Sequence, residues 1–279
     1  MSKMISRGPR GDLHKSKNDL SAPSPLDHPL LSERYFFPFP SSFADPFFVA
    51  GEGFHLGCRY RRISADAPTI IHFHGNGETV ADYVGEFEAR VAALGANLLL
   101  ADYRGYGMST GTPALAAMLN DVALLVAAAG VDPARLIFFG RSLGSLYAVH
   151  GAALFPGAAG LIVESGIADP LERILLRATP FELGVDRAGL EAAVSRSLDQ
   201  RRKLAAFRGR TLIMHARGDC MVPVSHAERL HAWANTPKQL LVLPHGDHNS
   251  ILSANSDAYF AAIGEFILSA KDKVKGEQP

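Results

Sequence analysis

The chain has 279 residues, 47% hydrophobic and 20% charged, which suits one large domain with its own core and leaves no need for a disulfide or metal staple. Lys plus Arg and Asp plus Glu number 28 each, so the formal net charge is zero, and that balance argues against a nucleic-acid or anionic-membrane partner. Cys58 and Cys220 lie far apart, with no metal-ligand spacing and too few partners for a disulfide framework, so a reducing cytoplasm is the expected location.

The first thirty residues are polar and rich in Ser, Pro and Lys, with no apolar run of the kind a signal peptide carries. Residues 1–34 are expected to form a flexible tail, and 272–279 another. Two early strands fall within 47–63, joined at 51–53. TIIHFHG (69–75) is a continuous apolar run ending in glycine, as a buried strand should be. Val80, Val84, Phe87, Val91 and Leu94 have helical spacing over 80–94. NLLLADYRG (97–105) is the next strand, and Pro113 opens a helix over 114–129. RLIFFG (135–140) runs straight into a helix from Ser142. GLIVESG (160–166), TLIMHAR (211–217) and KQLLVLP (238–244) are three more strands, with helices at about 225–235 and 254–270.

This alternation predicts an α/β fold over 35–271: a mainly parallel sheet of about eight strands with helices on both faces. No stretch is apolar for long enough to span a bilayer. Residues 167–209 exceed what a simple crossover needs, and they are read as a small lid insertion. Leu171, Ile174, Leu175, Leu176, Phe181 and Leu183 in it are candidates to face an acyl chain or to pack on the domain.

In such sheets chemistry collects beyond the carboxyl ends of the strands. There the sequence places Gly140-Arg141-Ser142-Leu143-Gly144, a G-x-S-x-G run between an apolar strand and a helical pattern. A serine on a sharp strand-to-helix turn is exposed above the sheet, and small flanking residues let the backbones pass closely. A serine hydroxyl needs a base, and the base needs an orienting carboxylate, in the chain order Ser, acid, His. Asp219 and His248 follow the strands at 211–217 and 238–244, and are the candidate acid and base. Glu164 and His245 are the alternatives, Asp247 is read as a loop residue, and Cys220 has no base aimed at it. Oxyanion donors are assigned to the N–H groups of Leu143 and Asn76, with Gly75 as fallback for the second. His72 and His74 are placed on one strand face by their spacing, with His74 supporting the oxyanion loop rather than a metal. The loop at 102–111 is read as structural.

From about Phe47 onward the chain resembles the α/β-hydrolase superfamily. It is similar to the branch that includes eukaryotic α/β-hydrolase-domain proteins 13 and 17 and many bacterial homologues. The likeness is carried by HFHGNGE (72–78), DYRGYGMSTGTP (102–113), GRSLGS (140–145), ESG (164–166), HARGDCMVP (215–223) and GDHN (246–249). His215-Ala216 stands where that pattern usually has His-Gly, and Gly246-Asp247-His248 where it has Gly-Gly-His or Gly-His; neither departure removes a reacting group. No cysteine cluster precedes the domain, so the palmitoylated anchor of the type-17 proteins is not implied. The resemblance implies a serine hydrolase acting on a small-molecule ester or thioester without cofactor or metal. A peptidase, lactonase, cofactor-free perhydrolase or non-catalytic scaffold on the same fold is the alternative.

Overall fold

The computed structural model describes residues 24–276. Strands β1 (Phe47–Gly51), β2 (Phe54–Arg61), β3 (Thr69–Phe73), β4 (Asn97–Ala101), β5 (Leu136–Arg141), β6 (Gly160–Glu164), β7 (Arg210–Ala216) and β8 (Lys238–Leu243) form one sheet in the order β1-β2-β4-β3-β5-β6-β7-β8. β1 and β2 pair antiparallel, β2 joins β4 antiparallel, and from β4 through β8 every pairing is parallel. β3 and β5, the strands that lead into the candidate oxyanion loop and Ser142, are neighbours at the centre.

Side chains alternate across the sheet, as the two-residue period of a strand requires. Ile71 and Phe138 enter one core; Ile70, Ile137 and Phe139 enter the other. The first core is covered by α3 (Asp121–Ala129), α4 (Gly144–Leu154), α7 (Gln200–Ala206) and α8 (Ser225–Trp233), through Leu125, Leu146, Tyr147, Leu204 and Leu230. The second is covered by α2 (Glu86–Ala93) and α10 (Ser256–Gly276), through Phe87, Val91, Tyr259, Ile263 and Phe266. With both faces covered, the central strands are apolar throughout, which is why they read as unbroken runs in the sequence. Among the described residues, no helix is long and apolar enough to cross a membrane.

Several elements differ from expectation, each for a local reason. Residues 1–23 of the expected tail lie outside the described residues. Residues 24–34 of it are part of the domain: Pro25–Asp27 forms a 3-10 turn and Pro29–Tyr35 forms α1, with Leu26 and Leu31 fully buried. Asp27 Oδ1 accepts from the N–H groups of Ala116 (2.8 Å) and Ala117 (2.9 Å), anchoring the segment to the chain ahead of α3. The helix expected over 80–94 is split, because Gly85 takes φ 103°, a value that no helix interior allows. The helix expected over 254–270 begins as α9 (Ile251–Ala254) and restarts at Ser256, since the Asn255 amide turns back to donate to the carbonyls of Ile251 and His245 at 2.8 Å each. The last helix continues to Gly276, past the expected start of the second tail at 272.

Residues 167–209 fold as α5 (Pro170–Leu175), a 3-10 turn (Phe181–Leu183), α6 (Arg187–Leu198) and α7. Leu31 lies in the same apolar cluster as Ile174, Leu183 and Leu190 of this segment. Leu31→Ala is therefore expected to cost about 2–5 kcal/mol in a denaturant titration, the usual range for a buried leucine; a residue of a loose tail would cost nothing measurable.

Candidate active site

Ser142 sits where β5 hands over to α4, at φ 51°. A non-glycine residue is held in that left-handed region at a cost of about 1–3 kcal/mol, so the surroundings must impose it. They do. A Cβ at Gly140 would strike the Gly144 carbonyl and Ala148, and one at Gly144 would strike the Phe73 carbonyl of the neighbouring strand. The Ser142 N–H donates to the Glu164 carbonyl (2.9 Å), and the Ser142 carbonyl accepts from Ser145 Oγ (2.6 Å). The turn is thus pinned between β6 and the first turn of α4, and the Ser142 hydroxyl stands beyond the carboxyl edge of the sheet.

His248 meets that hydroxyl from the loop after β8. With the proton on Nδ1, the imidazole donates to Asp219 Oδ2 (2.7 Å), while Nε2 accepts from Ser142 Oγ (2.8 Å). Asp219 lies in the turn after β7, and its Oδ1 accepts from the N–H groups of Met221 (2.9 Å) and Val222 (2.8 Å). Burial raises the Asp219 pKa, but hydrogen bonds from His215 and His248 and the Val222 N–H outweigh it and hold the carboxyl well below the usual range. His215 Nε2 approaches Oδ2 at 3.3 Å while donating to the Val222 carbonyl at 2.8 Å, so it props the acid from beneath; a histidine at the end of a buried strand was the available signal for it. The alternatives lie elsewhere. His245 is exposed, Glu164 faces Arg141 and Tyr259, Asp247 caps its own loop through Ser250 and Asn249, and Cys220 is exposed with no imidazole against it.

Among the described residues, the N–H groups of Leu143 and Asn76 donate to no protein acceptor, and both residues border the same cavity as Ser142. The Gly75 N–H is occupied by Glu78 Oε2 at 2.6 Å. The Asn76 side chain is a brace: Nδ2 donates to the Tyr35 carbonyl (2.6 Å), and Oδ1 accepts from the Phe37 N–H (3.1 Å) and Tyr106 Oη (2.7 Å). The N-terminal segment and the loop at 102–111 therefore fix the backbone of Asn76 between them. His74 shares in this, with Nδ1 at 2.8 Å from the Gly75 carbonyl and its own carbonyl accepting from Tyr103 Oη (2.6 Å). His72 and His74 do not share a face. β3 ends at Phe73, and beyond it His74 packs on Tyr103 and Tyr106, while His72 packs on Tyr83, Phe87 and Phe139. Among the described residues, no group of three His, Cys, Asp or Glu side chains is placed to hold a metal ion.

A family model described as serine aminopeptidase, S33, matches residues 65–184. The protein YfhR of Escherichia coli O157:H7 is 29% identical over 211 residues, covering 72% of this chain and 70% of its own. The α/β hydrolase domain-containing protein WAV2 of Arabidopsis thaliana is 25% identical over 227 residues, covering 72% and 70%. The chain has the α/β-hydrolase fold and is similar to α/β-hydrolase proteins. A thermophilic esterase from Thermogutta terrifontis shares the fold at TM-score 0.62 and 19% identity, over 82% of this chain and 100% of its own.

Ser142 and His248 of this hydrolase-fold chain open onto a cavity of about 390 Å³, a size in the usual range for a small-molecule site. Its wall includes Tyr35, Phe37, Ile167, Met221 and Val222, but the apolar residues singled out in 167–209 are not on it. Ile174 and Leu183 are buried in the domain; Leu176 and Phe181 are 62% and 91% exposed. From that segment the cavity receives Ile167, Arg173 and Arg177 instead.

Arg141, like His215, is a site residue that sequence reasoning missed. Its guanidinium is buried between two carboxylates, with Nε donating to Glu164 Oε1 at 3.0 Å and Nη1 paired to Glu78 Oε1. Nη2 donates to the His248 carbonyl at 2.8 Å, tying the imidazole's loop to the strand that carries Ser142. Burial raises the Glu164 pKa, opposed by Arg141 and by the hydrogen bond from Tyr259 Oη at 2.5 Å. Arg141→Met is expected to destabilise the fold by about 3–5 kcal/mol in denaturant, because it leaves the buried Glu164 carboxylate without its charge partner. A loss under about 1 kcal/mol, the worth of an exposed pair, contradicts this reading.

Proposed function

We propose that the protein is a serine hydrolase that cleaves a carboxylic ester or thioester through an acyl-enzyme intermediate. The observation that carries the reading is the relay from Asp219 to His248 to Ser142, with hydrogen bonds of 2.7 and 2.8 Å, opening onto a cavity bordered by two unengaged N–H groups. Ser142 Oγ attacks the substrate carbonyl as its proton passes to His248 Nε2. Asp219 keeps the other proton on Nδ1 and stabilises the imidazolium. The Leu143 and Asn76 N–H groups receive the oxyanion, each donor worth about 3 kcal/mol in the transition state. The imidazolium then gives its proton to the leaving alcohol or thiol. Water, deprotonated by the same imidazole, releases the acid and restores Ser142. This chemistry needs no cofactor or metal. The free thiols of Cys58 and Cys220 fit a reducing cytoplasm, and residues 167–209 act as a lid that contributes Ile167, Arg173 and Arg177 to the cavity wall.

The description of the matching family model favours a second reading, cleavage of an N-terminal peptide bond. An aminopeptidase needs a carboxylate free to meet the substrate's ammonium. Among the described residues, Glu78 is the acidic side chain on the cavity wall, and it is committed to Arg141, the Gly75 N–H and Tyr83 Oη. The ester reading is therefore preferred.

Hydrolysis of p-nitrophenyl esters from acetate to palmitate tests it. The wild type is expected to turn over part of the series, and Ser142→Ala to lower kcat by about a thousandfold or more. Turnover of equal rate by both proteins contradicts the assignment of Ser142.

A further inference from the structure

Arg173 and Arg177 are spaced four apart, Arg173 within α5 and Arg177 just after it, and both border the cavity that holds Ser142. Arg173 is well inside, its side chain only 18% exposed; Arg177 is at the rim, its guanidinium 5.4 Å from the centre of the Phe37 ring. A guanidinium drawn into a cavity loses part of its hydration and needs an acceptor in exchange. Here the nearby carboxylates are engaged elsewhere. Glu182 is held by Arg34 (3.0 Å) and by the N–H and Oγ of Thr179 (2.9 and 2.8 Å). Glu172 reaches Arg173 only at 3.9 Å and is shared with His226 (3.6 Å) and Arg229 (4.0 Å). Among the described residues, Arg177 has no carboxylate within 4.0 Å.

The third cation on the wall, Arg141, is already matched by Glu78 and Glu164. Against these two carboxylates the three guanidinium groups leave one positive charge in excess beside the candidate nucleophile, and Arg173 and Arg177 are the two that no close carboxylate matches. Both act on Tyr35, whose buried phenol is pushed up to about 12 by desolvation and drawn back by the two guanidinium groups. A partly dehydrated guanidinium fork presents paired N–H donors that fit the two oxygens of a carboxylate or phosphate. A purely aliphatic acyl chain would cover the largely buried Arg173 fork without matching its donors.

We propose that the substrate is an ester or thioester that carries an anionic oxygen group, a carboxylate or phosphate, and that Arg173 and Arg177 bind this anion while the scissile carbonyl lies at Ser142. The proposal rests on the hydrolase reading above and adds the chemical class of substrate to it. The anion supplies binding and orientation, so the gain appears in kcat/KM.

Two matched pairs of substrates test it. p-Nitrophenyl butyrate against the mono-p-nitrophenyl ester of glutaric acid reads a carboxylate; 1-butyrylglycerol against its 3-phosphate reads a phosphate. In the wild type, at least one anionic member is expected to exceed its neutral partner in kcat/KM by about tenfold or more, the effect of one charge-assisted contact. The pair that responds identifies the anion. In Arg173→Gln/Arg177→Gln that ratio is expected to collapse toward one, with the neutral ester in the same preparation serving as the control for folding. Neutral esters hydrolysed at least as well as both anionic ones, or a ratio unchanged in the double variant, overturns the proposal and leaves the hydrolase reading standing. No turnover of any of these esters removes the hydrolase reading and this proposal with it.

Discussion

The buried guanidinium of Arg141 is the constraint on which the site depends. It lies on the strand that ends in Ser142, and its nitrogens reach Glu78 in the loop after β3, Glu164 at the end of β6 and the carbonyl of His248 after β8. Four segments that come together only through the parallel sheet are thus fixed to one planar group. Burying such an ion costs several kcal/mol, and the cost is offset only when its donors are matched. Those contacts set the distance between the loop of His248 and the turn of Ser142, on which the 2.8 Å hydrogen bond between them depends.

The remaining features add to this clamp. Close approach of Gly144 to β3 forces the left-handed turn that lifts Ser142 above the sheet. The N–H groups of the turn after β7 orient Asp219, leaving Oδ2 for His248. The N-terminal segment grips the Asn76 side chain at the edge of the cavity, and among the described residues the Asn76 N–H has no acceptor. The segment between β6 and β7 then sets the character of the cavity, turning arginines rather than leucines toward it. On the proposed reading, reaction type and substrate class come from different parts of the chain: the first from the ends of the central strands, the second from the insertion.

The central strands and the three grouped side chains were legible because each rests on a local signal. Buried parallel strands read as unbroken apolar runs, and Ser142, Asp219 and His248 each follow one of them in an order that the strand-turn-helix motif makes interpretable. What was not legible depends on distant partners. Arg141 meets residues 23 and 107 positions away, and nothing in its own neighbourhood distinguishes it from a solvated arginine. Leu26 and Leu31 sit in a short stretch broken by prolines and polar residues, and only the core cluster that receives them shows that they belong to the domain. Helical spacing in 167–209 identified helices but not which face meets the cavity. The placement of His72 and His74 on one face assumed that the strand continued past Phe73, where it in fact ends.

The account predicts that Ser142 is an activated nucleophile, and covalent labelling tests that most directly. The protein is treated with a fluorophosphonate and the modified residue is located by peptide mass spectrometry. One adduct on Ser142, formed much more slowly when His248 is replaced by alanine, is the predicted result. No adduct in the folded wild type, or labelling of Ser142 at the same rate without His248, would contradict the account.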